Sequence, residues 1–130
     1  MFRARFYSNR VISMENDHTE YVLEERPWGR FERFVANNEC TVKLIYVDSG
    51  KRLSYQYHKK RSEFWKVVSG KLRVTLDGKE LILDVGEKIE IPVGAKHRME
   101  GITDSVVLEI AFGHFDENDI VRLDDDYKRA

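Results

Sequence analysis

The stretch GKRLSYQYHKKRSEFWKVVSG, residues 50 to 70, contains two β-type runs separated by a short polar connection. Side chains alternate between the two faces of a strand, so Gln56 and His58 are expected to point the same way. On the next run Glu63 and Trp65 share a face. A short connection brings Glu63 near His58, so that an amide, an imidazole and a carboxylate can converge. Such a mixed donor set suits a divalent ion such as Zn, Mn, Fe or Ni.

A second stretch, GEKIEIPVGAKHRMEG at residues 86 to 101, offers a fourth candidate ligand. A strand is expected to end at Pro92, the chain turns through Gly94, and His97 begins the next strand. Taken singly, a histidine or an acid here has an ordinary structural explanation as a surface residue or a hydrogen-bonded core residue. It is the combination with the first stretch that indicates a site.

The chain from Arg26 onward is a series of short runs rich in β-branched, aromatic and aliphatic residues, punctuated by Gly and Asp. Asp77 and Gly78 lie between two alternating runs, which predicts a tight β-hairpin. No sustained helical periodicity interrupts the series. The pattern predicts a single all-β domain, an antiparallel sandwich or barrel. A turn or two of helix is expected at most near the C-terminus, around DENDI (116–120) or DDDYKR (124–129).

Composition narrows the classes of partner. The 130 residues carry a net charge of −1, which argues against nucleic acid and against an anionic membrane surface. No run approaches the roughly 18 apolar residues of a membrane span. The lone Cys40 excludes an internal disulfide and is typical of a reducing cytosol, so a cytoplasmic location is expected. Residues 1 to 25 show weak periodicity and are interpreted as an N-terminal arm.

The spacing of the two stretches resembles the two motifs of the cupin superfamily. The first motif is matched by Gly50, Gln56, His58, Glu63 and Gly70. The second is matched by Gly86, Pro92, Gly94 and His97. Cupins are small antiparallel jelly-roll barrels (double-stranded β-helices) whose motifs supply three histidines and a glutamate to an internal metal site. Here Gln56 stands where the first of those histidines is expected.

A narrower resemblance covers about four fifths of the chain. Four segments are similar to the cupin domain of type II mannose-6-phosphate isomerases: RPWGRFE (26–32), LSYQYHKKRSEFW (53–65), IPVGAKHRMEG (91–101) and ENDIVRLDDDYKR (117–129). That family characteristically has glutamine at the position of Gln56. One departure is Phe64, where the family commonly has histidine. The resemblance implies a cupin domain over residues 26 to 130 and a reaction that interconverts mannose-6-phosphate and fructose-6-phosphate through an enediol.

The resemblance and the chemistry together assign roles to individual residues. The expected metal ligands are Gln56, His58, Glu63 and His97. Catalysis is assigned to Arg61 and Glu109, with Glu100 as an alternative general base. Phosphate binding is assigned to Arg61, Lys59, Arg98 and Arg122, because guanidinium groups bind phosphate in bidentate fashion.

Other functions stay open on the sequence alone. A non-catalytic cupin could bind a sugar, a sugar nucleotide or a small acid as a sensor or an accessory subunit. Another cupin enzyme, a dioxygenase or a sugar-nucleotide epimerase, is a further alternative, although Gln56 argues mildly against a histidine-rich iron site. A small sugar phosphate is the expected ligand. A homodimer is the expected assembly, because exposed edges of such a barrel are commonly closed by a second subunit.

Overall fold

The computed structural model describes residues 11–13 and 21–129, and every regular element in these ranges is a β-strand. The chain divides into two compact units, Met1–Glu39 and Cys40–Ala130. The first unit contains one antiparallel sheet in the order β1–β2–β3, formed by β1 (Val11–Ser13), β2 (Val22–Arg26) and β3 (Gly29–Arg33). Most of the expected N-terminal arm, residues 1 to 25, lies outside the described residues, and its boundary stays a prediction.

The second unit contains nine strands in two sheets. They are β4 (Cys40–Val47), β5 (Tyr55–Tyr57), β6 (Arg61–Ser69), β7 (Leu72–Leu76), β8 (Lys79–Leu83), β9 (Lys88–Ile91), β10 (His97–Gly101), β11 (Ser105–Gly113) and β12 (Val121–Asp124). One sheet has the order β12–β5–β10–β7–β8, the other the order β4–β11–β6–β9, and all strand pairings are antiparallel. The all-β architecture predicted from the short alternating runs is therefore confirmed.

Side chains from both sheets fill one core. Trp65 and Val67 on β6 are buried, and so are Val74 on β7 and Met99 on β10. On β11, Val107 pairs with Val67 and contributes to the same cluster. Inward-facing and outward-facing residues alternate along each strand. A polar residue at an inward-facing position therefore also points into the barrel interior.

Tight turns set the register of the strands. Asp77 and Gly78 have φ of 47° and 81°, the conformation required by the two-residue hairpin between β7 and β8. Gly70, between β6 and β7, has φ of 83°, and a Cβ there would lie 2.2 Å from the Asp104 carbonyl oxygen. The close approach of the Gly70 backbone to Asp104 therefore leaves no room for a side chain larger than hydrogen.

The C-terminal segment differs from the expectation of a short helix. Among the described residues neither DENDI nor DDDYKR is helical, and both segments form turns. Aspartate side chains cap these turns: Asp116 Oδ1 accepts from the Asn118 amide and Asp125 Oδ1 from the Tyr127 amide. Such local bonds compete with helix formation. Between the two turns β12 pairs with β5, with Arg122 opposite Gln56. Within the described ranges, the structure has no helix with the length and apolarity to cross a membrane.

Candidate metal centre

Three ligand-type side chains converge inside the barrel. His58 follows β5, Glu63 lies on β6, and His97 begins β10. The Nε2 atom of His58 is 3.3 Å from Glu63 Oε2, and that of His97 is 3.7 Å from Glu63 Oε1. All three residues are buried, and one ligand atom from each lies within 4.8 Å of the others. This group can hold a metal ion.

The backbone sets the tautomer of both histidines. His58 Nδ1 is 2.6 Å from the Asp119 carbonyl and His97 Nδ1 is 2.9 Å from the Ala95 carbonyl. A carbonyl oxygen only accepts hydrogen bonds, so each Nδ1 carries the proton and each Nε2 presents a lone pair. His97 Nε2 is buried and has no hydrogen-bond partner among residues 21–129. Histidines oriented in this way through Nδ1 are typical metal ligands, and an ion would satisfy the orphaned nitrogen.

Gln56 is placed to complete the donor set. It lies directly opposite His97 in the pairing of β5 with β10, and its Nε2 is 3.1 Å from His58 Nε2. The buried Ser54 hydroxyl bonds to the other end of the Gln56 amide. A hydroxyl both donates and accepts, so Ser54 can bond to either end of the amide. Rotation of the Gln56 side-chain amide by about 180° would direct its oxygen toward the histidines.

Glu63 is held as a carboxylate. It accepts hydrogen bonds from Arg61 Nε at 3.2 Å and from Trp65 Nε1 at 3.1 Å. Burial raises the pKa of Glu63, but its contacts with His58, His97 and Arg61 outweigh burial and lower the pKa to about 2. For His97, burial is the main cause and lowers its pKa. Glu63 is therefore an anion at neutral pH, and a carboxylate is the form that binds a divalent ion.

Arg61 is bound within the centre rather than extended into solvent. Besides Glu63, it donates to the Asp116 carbonyl through Nη1 at 3.0 Å and to His58 Nε2 through Nη2 at 3.3 Å. Its guanidinium lies 4.6 Å from the centroid of the Phe115 ring. Three hydrogen bonds and one ring contact thus fix a positive charge against the ligand group.

A second carboxylate shares the interior with Glu63. Glu109 lies opposite Trp65 on β11 and is 6% exposed. Burial, together with the negative charge of Glu63, raises the pKa of Glu109 to about 8, while Lys43 opposes the shift. Glu63 and Glu109 line a cavity of about 160 Å³ together with Gln56 and Arg61. The cavity also has charged residues on its remaining wall: Lys43, Glu117, Arg122 and Arg129.

The structure brings some of the predicted functional residues together and separates others. Arg61, Glu109 and Arg122 line the cavity that adjoins the ligands. Arg98 does not: its side chain donates to the Leu53 carbonyl at 2.8 Å and to the Asp124 carboxylate at 3.0 Å. Arg98 therefore tethers β12. Lys59 is exposed and does not line the cavity.

Two further residues that the sequence analysis singled out do not contribute to the ligand group: Glu100, the alternative general base, and Phe64, which stands where the family commonly has histidine. Glu100 is 3.6 Å from Arg73 and lines a different cleft. Phe64 is fully buried, on the face of β6 opposite Glu63. The ligand group is therefore assembled without any contribution from position 64.

Sequence reasoning missed Ser54 and Asp119. Alternation placed Ser54 on the same face as Gln56 and could have identified it. Asp119 had no such signal, because it lies 61 residues from His58 in sequence. Lys43 and Glu117, joined by a 2.8 Å ion pair at the cavity wall, were missed for the same reason.

Relatives of known sequence match nearly the whole chain. The chain is 37% identical over 124 residues to the mannose-1-phosphate guanylyltransferase ManC of Salmonella typhimurium, a match that covers 92% of this chain and 26% of that protein. A mannose-1-phosphate guanylyltransferase of Escherichia coli is 38% identical over 124 residues, with the same coverage. The alginate biosynthesis protein AlgA of Pseudomonas aeruginosa is 38% identical over 108 residues, 81% of this chain and 22% of that protein. The chain thus spans about a quarter of the length of these relatives.

Solved structures agree on the fold. KdgF from Halomonas sp. superposes with a TM-score of 0.56 at 18% identity, over 65% of this chain and 78% of that one. A mutant of salicylate 1,2-dioxygenase from Pseudoaminobacter salicylatoxidans, in complex with gentisate, superposes with a TM-score of 0.53 at 14% identity, over 55% of this chain and 20% of that one. At such identities the likeness shows the fold alone, a cupin barrel.

The family model for the mannose-6-phosphate isomerase C-terminal domain matches residues 13–125. This match covers both ligand-bearing stretches and the strand β12 that closes the site. The chain belongs to the family of mannose-6-phosphate isomerase C-terminal domains, which is a cupin family.

Proposed function

We propose that the chain is a metal-dependent sugar-phosphate isomerase that interconverts mannose-6-phosphate and fructose-6-phosphate. The observation that carries the proposal is the position of Glu109. It lines the same small cavity as the candidate ligand Glu63, yet it is not a member of the His58, Glu63 and His97 group. A buried acid next to a metal centre is the arrangement that a metal-assisted proton transfer needs.

The candidate metal ligands are His58, Glu63, His97 and Gln56. A divalent ion in this site would supply Lewis-acid stabilisation for negative charge that develops on a sugar oxygen. The family relationship is what directs the proposal to a mannose phosphate, and the relatives named as mannose-1-phosphate guanylyltransferases are consistent with it.

The chain's own residues then account for the proton movements. In its deprotonated form, Glu109 accepts the proton from C2 of the open-chain aldose and returns it to C1. The hydroxyl proton on O2 transfers to O1, so the aldose becomes the ketose and no other reactant is needed. Arg61, fixed by Glu63 and the Asp116 carbonyl, retains N–H donors that can stabilise the enediolate oxygens.

A coupled assay with mannose-6-phosphate tests the proposal. We expect turnover that a chelator abolishes and that Zn, Mn, Ni or Fe restores. Glu109→Gln should lower kcat by about 10²–10⁴-fold and leave metal content unchanged. Glu100→Gln is the matched control, because that acid pairs with Arg73 away from the ligands, and it should retain activity. Binding of mannose-6-phosphate by metal-loaded protein without any turnover would refute the isomerase and favour a non-catalytic sugar-binding cupin.

We also propose that the chain forms a homodimer. β4 is an edge strand of its sheet, and its outward side chains Val42 and Leu44 are 56% and 53% exposed. An unpaired edge with apolar side chains is a surface that a second copy commonly covers. Sedimentation equilibrium should give twice the chain mass, and a monomer at micromolar concentration would contradict this assembly.

A further inference from the structure

A second cavity adjoins the one that contains Glu63 and Glu109. Its volume is about 380 Å³, and Leu53 and Arg129 contribute to the walls of both cavities. We refer to the cavity of about 160 Å³ as the inner cavity and to this one as the outer cavity. The two cavities are therefore neighbours that share part of their walls.

Three of the eight residues that line the outer cavity are cationic. Lys51, Arg52 and Arg129 contribute three positive charges to its wall, and Asp48 contributes one negative charge. Within the described part of the chain Lys51 forms no ion pair. Arg52 and Arg129 are paired with aspartates, so Lys51 is the cation on this wall whose charge is available to attract an anionic group.

Two of these cations are held in position by aspartates of the C-terminal segment. Arg52 donates through Nε and Nη2 to Asp126, at 2.7 and 2.9 Å. Arg129 donates through Nε and Nη2 to Asp125, at 2.8 and 3.1 Å. A guanidinium has five N–H donors, so each pairing leaves donors for a further ligand. The aspartates thus restrict the motion of the guanidinium groups, which reduces the entropy cost of binding.

Two of the three arginines assigned to phosphate from the sequence do not offer such a position, and the third, Arg122, lines the inner cavity but not the outer one. Arg98 is bound to the Leu53 carbonyl and to Asp124, and Arg61 to Glu63 and the Asp116 carbonyl. Both are almost fully buried. Arg129, in contrast, borders both cavities and is exposed.

We propose that the outer cavity is the subsite for the phosphate of a phosphorylated hexose whose carbonyl end occupies the inner cavity. Arg129 contacts the phosphate at the junction of the two cavities, and Lys51 and Arg52 supply further charge. The proposal rests on the proposed function and specifies its substrate class as phosphate monoesters. In a hexose 6-phosphate the reacting carbons and the phosphate lie at opposite ends of the open chain, which matches two neighbouring cavities that share Leu53 and Arg129.

Calorimetric titration of metal-loaded full-length protein tests this subsite without depending on turnover. Mannose-6-phosphate should bind at least tenfold more tightly than mannose, and inorganic phosphate should compete with it. Arg129→Ala and Lys51→Ala should each weaken mannose-6-phosphate binding, Arg129→Ala by tenfold or more, with mannose binding and metal content unchanged. Arg129→Lys should give an intermediate loss, because it keeps the charge but not the bidentate geometry. Lys79→Ala, on the exposed strand β8, is the control.

The outcomes separate the two proposals. If wild-type protein binds mannose-6-phosphate and the variants lose it, the subsite stands even when no isomerase activity is found. If the protein is active, the variants should raise KM and leave kcat within about threefold. Unchanged affinity in Arg129→Ala and Lys51→Ala, with thermal melts that show both variants folded, would overturn the subsite. Binding of GDP-mannose without binding of mannose-6-phosphate would overturn the assignment to monoesters.

Discussion

His58 Nδ1 lies 2.6 Å from the backbone carbonyl of Asp119, a residue 61 positions later in the chain. The Asp119 carboxylate at the same time accepts hydrogen bonds from the backbone amides of Lys59 and Lys60, at 2.9 and 3.0 Å. One residue of the C-terminal segment therefore fixes the ring of a candidate metal ligand and the loop that follows it. Contacts of this kind behind a ligand commonly determine the affinity of a metal site.

Asp119→Ala should weaken metal binding by about 10–100-fold, because the loop loses both carboxylate bonds and the His58 ring loses its fixed orientation. Asp119→Asn, which retains an acceptor oxygen, should lose less. Competition titration with a chromophoric chelator measures the affinity. Asp126→Ala is the control, since Asp126 binds Arg52 and does not contact a ligand. Equal affinities for Asp119→Ala and wild type would show that the contact does not support the site.

His58→Ala and His97→Ala should each yield protein without stoichiometric metal, because each removes one of three convergent ligand atoms. Elemental analysis of purified protein gives the metal content. His114→Ala, a change at an exposed histidine, should retain a full complement. Full metal content in both ligand variants would show that the ion binds elsewhere.

The stability of the metal-free protein should depend on Glu109. Its pKa is raised from 4.5 to about 8 in the folded state, so folding binds a proton between those values and this contribution declines as pH rises from 4.5 through 8. Glu109→Gln removes the titrating group and should stabilise the metal-free protein at pH 8 by on the order of 2–4 kcal/mol. Urea unfolding at pH 5 and pH 8 measures the difference.

The groups that face Glu109 are Glu63, Lys43 and Arg61, and all are retained in the variant. A pH dependence that is the same in wild type and Glu109→Gln would therefore assign the effect to another residue. Glu63 contributes to the pH dependence of stability with the opposite sign. Its pKa is lowered to about 2, so its stabilisation is complete above pH 4.5 and is lost as pH falls toward 2.

Gly70→Ala should destabilise the barrel more than Gly86→Ala. Both glycines have a left-handed φ, 83° and 86°, which alone costs an alanine roughly 1–2 kcal/mol. At Gly70 the new Cβ would also lie 2.2 Å from the Asp104 carbonyl oxygen, whereas at Gly86 nothing lies within 4 Å. Thermal or denaturant unfolding measures the difference, and equal losses would show that the segment around Asp104 moves away freely.

The sequence was sufficient to predict the strands and the convergence of His58, Glu63 and His97. Alternation along a strand determines the face of each residue. The short connection after His58 keeps it near Glu63 although β5 and β6 belong to different sheets, and His97 was assigned from the resemblance to the second cupin motif. The sequence was not sufficient for the hydrogen-bond partners of Arg61 and Arg98, because these depend on the path of a C-terminal segment with no regular period. Asp119 is the clearest case. Its role depends on where the C-terminal segment passes His58, and no local sequence pattern predicts that path.

Trp65 gives the protein an optical signal at the candidate metal centre. Its indole N–H donates to Glu63, and its ring lies edge-on to His97 with 5.5 Å between centroids. The chain has two tryptophans, and the other, Trp28, is 72% exposed. Trp28→Phe therefore leaves a single tryptophan, which contacts two candidate ligands, so that tryptophan fluorescence excited at the red edge can follow the occupancy of the site without an added label.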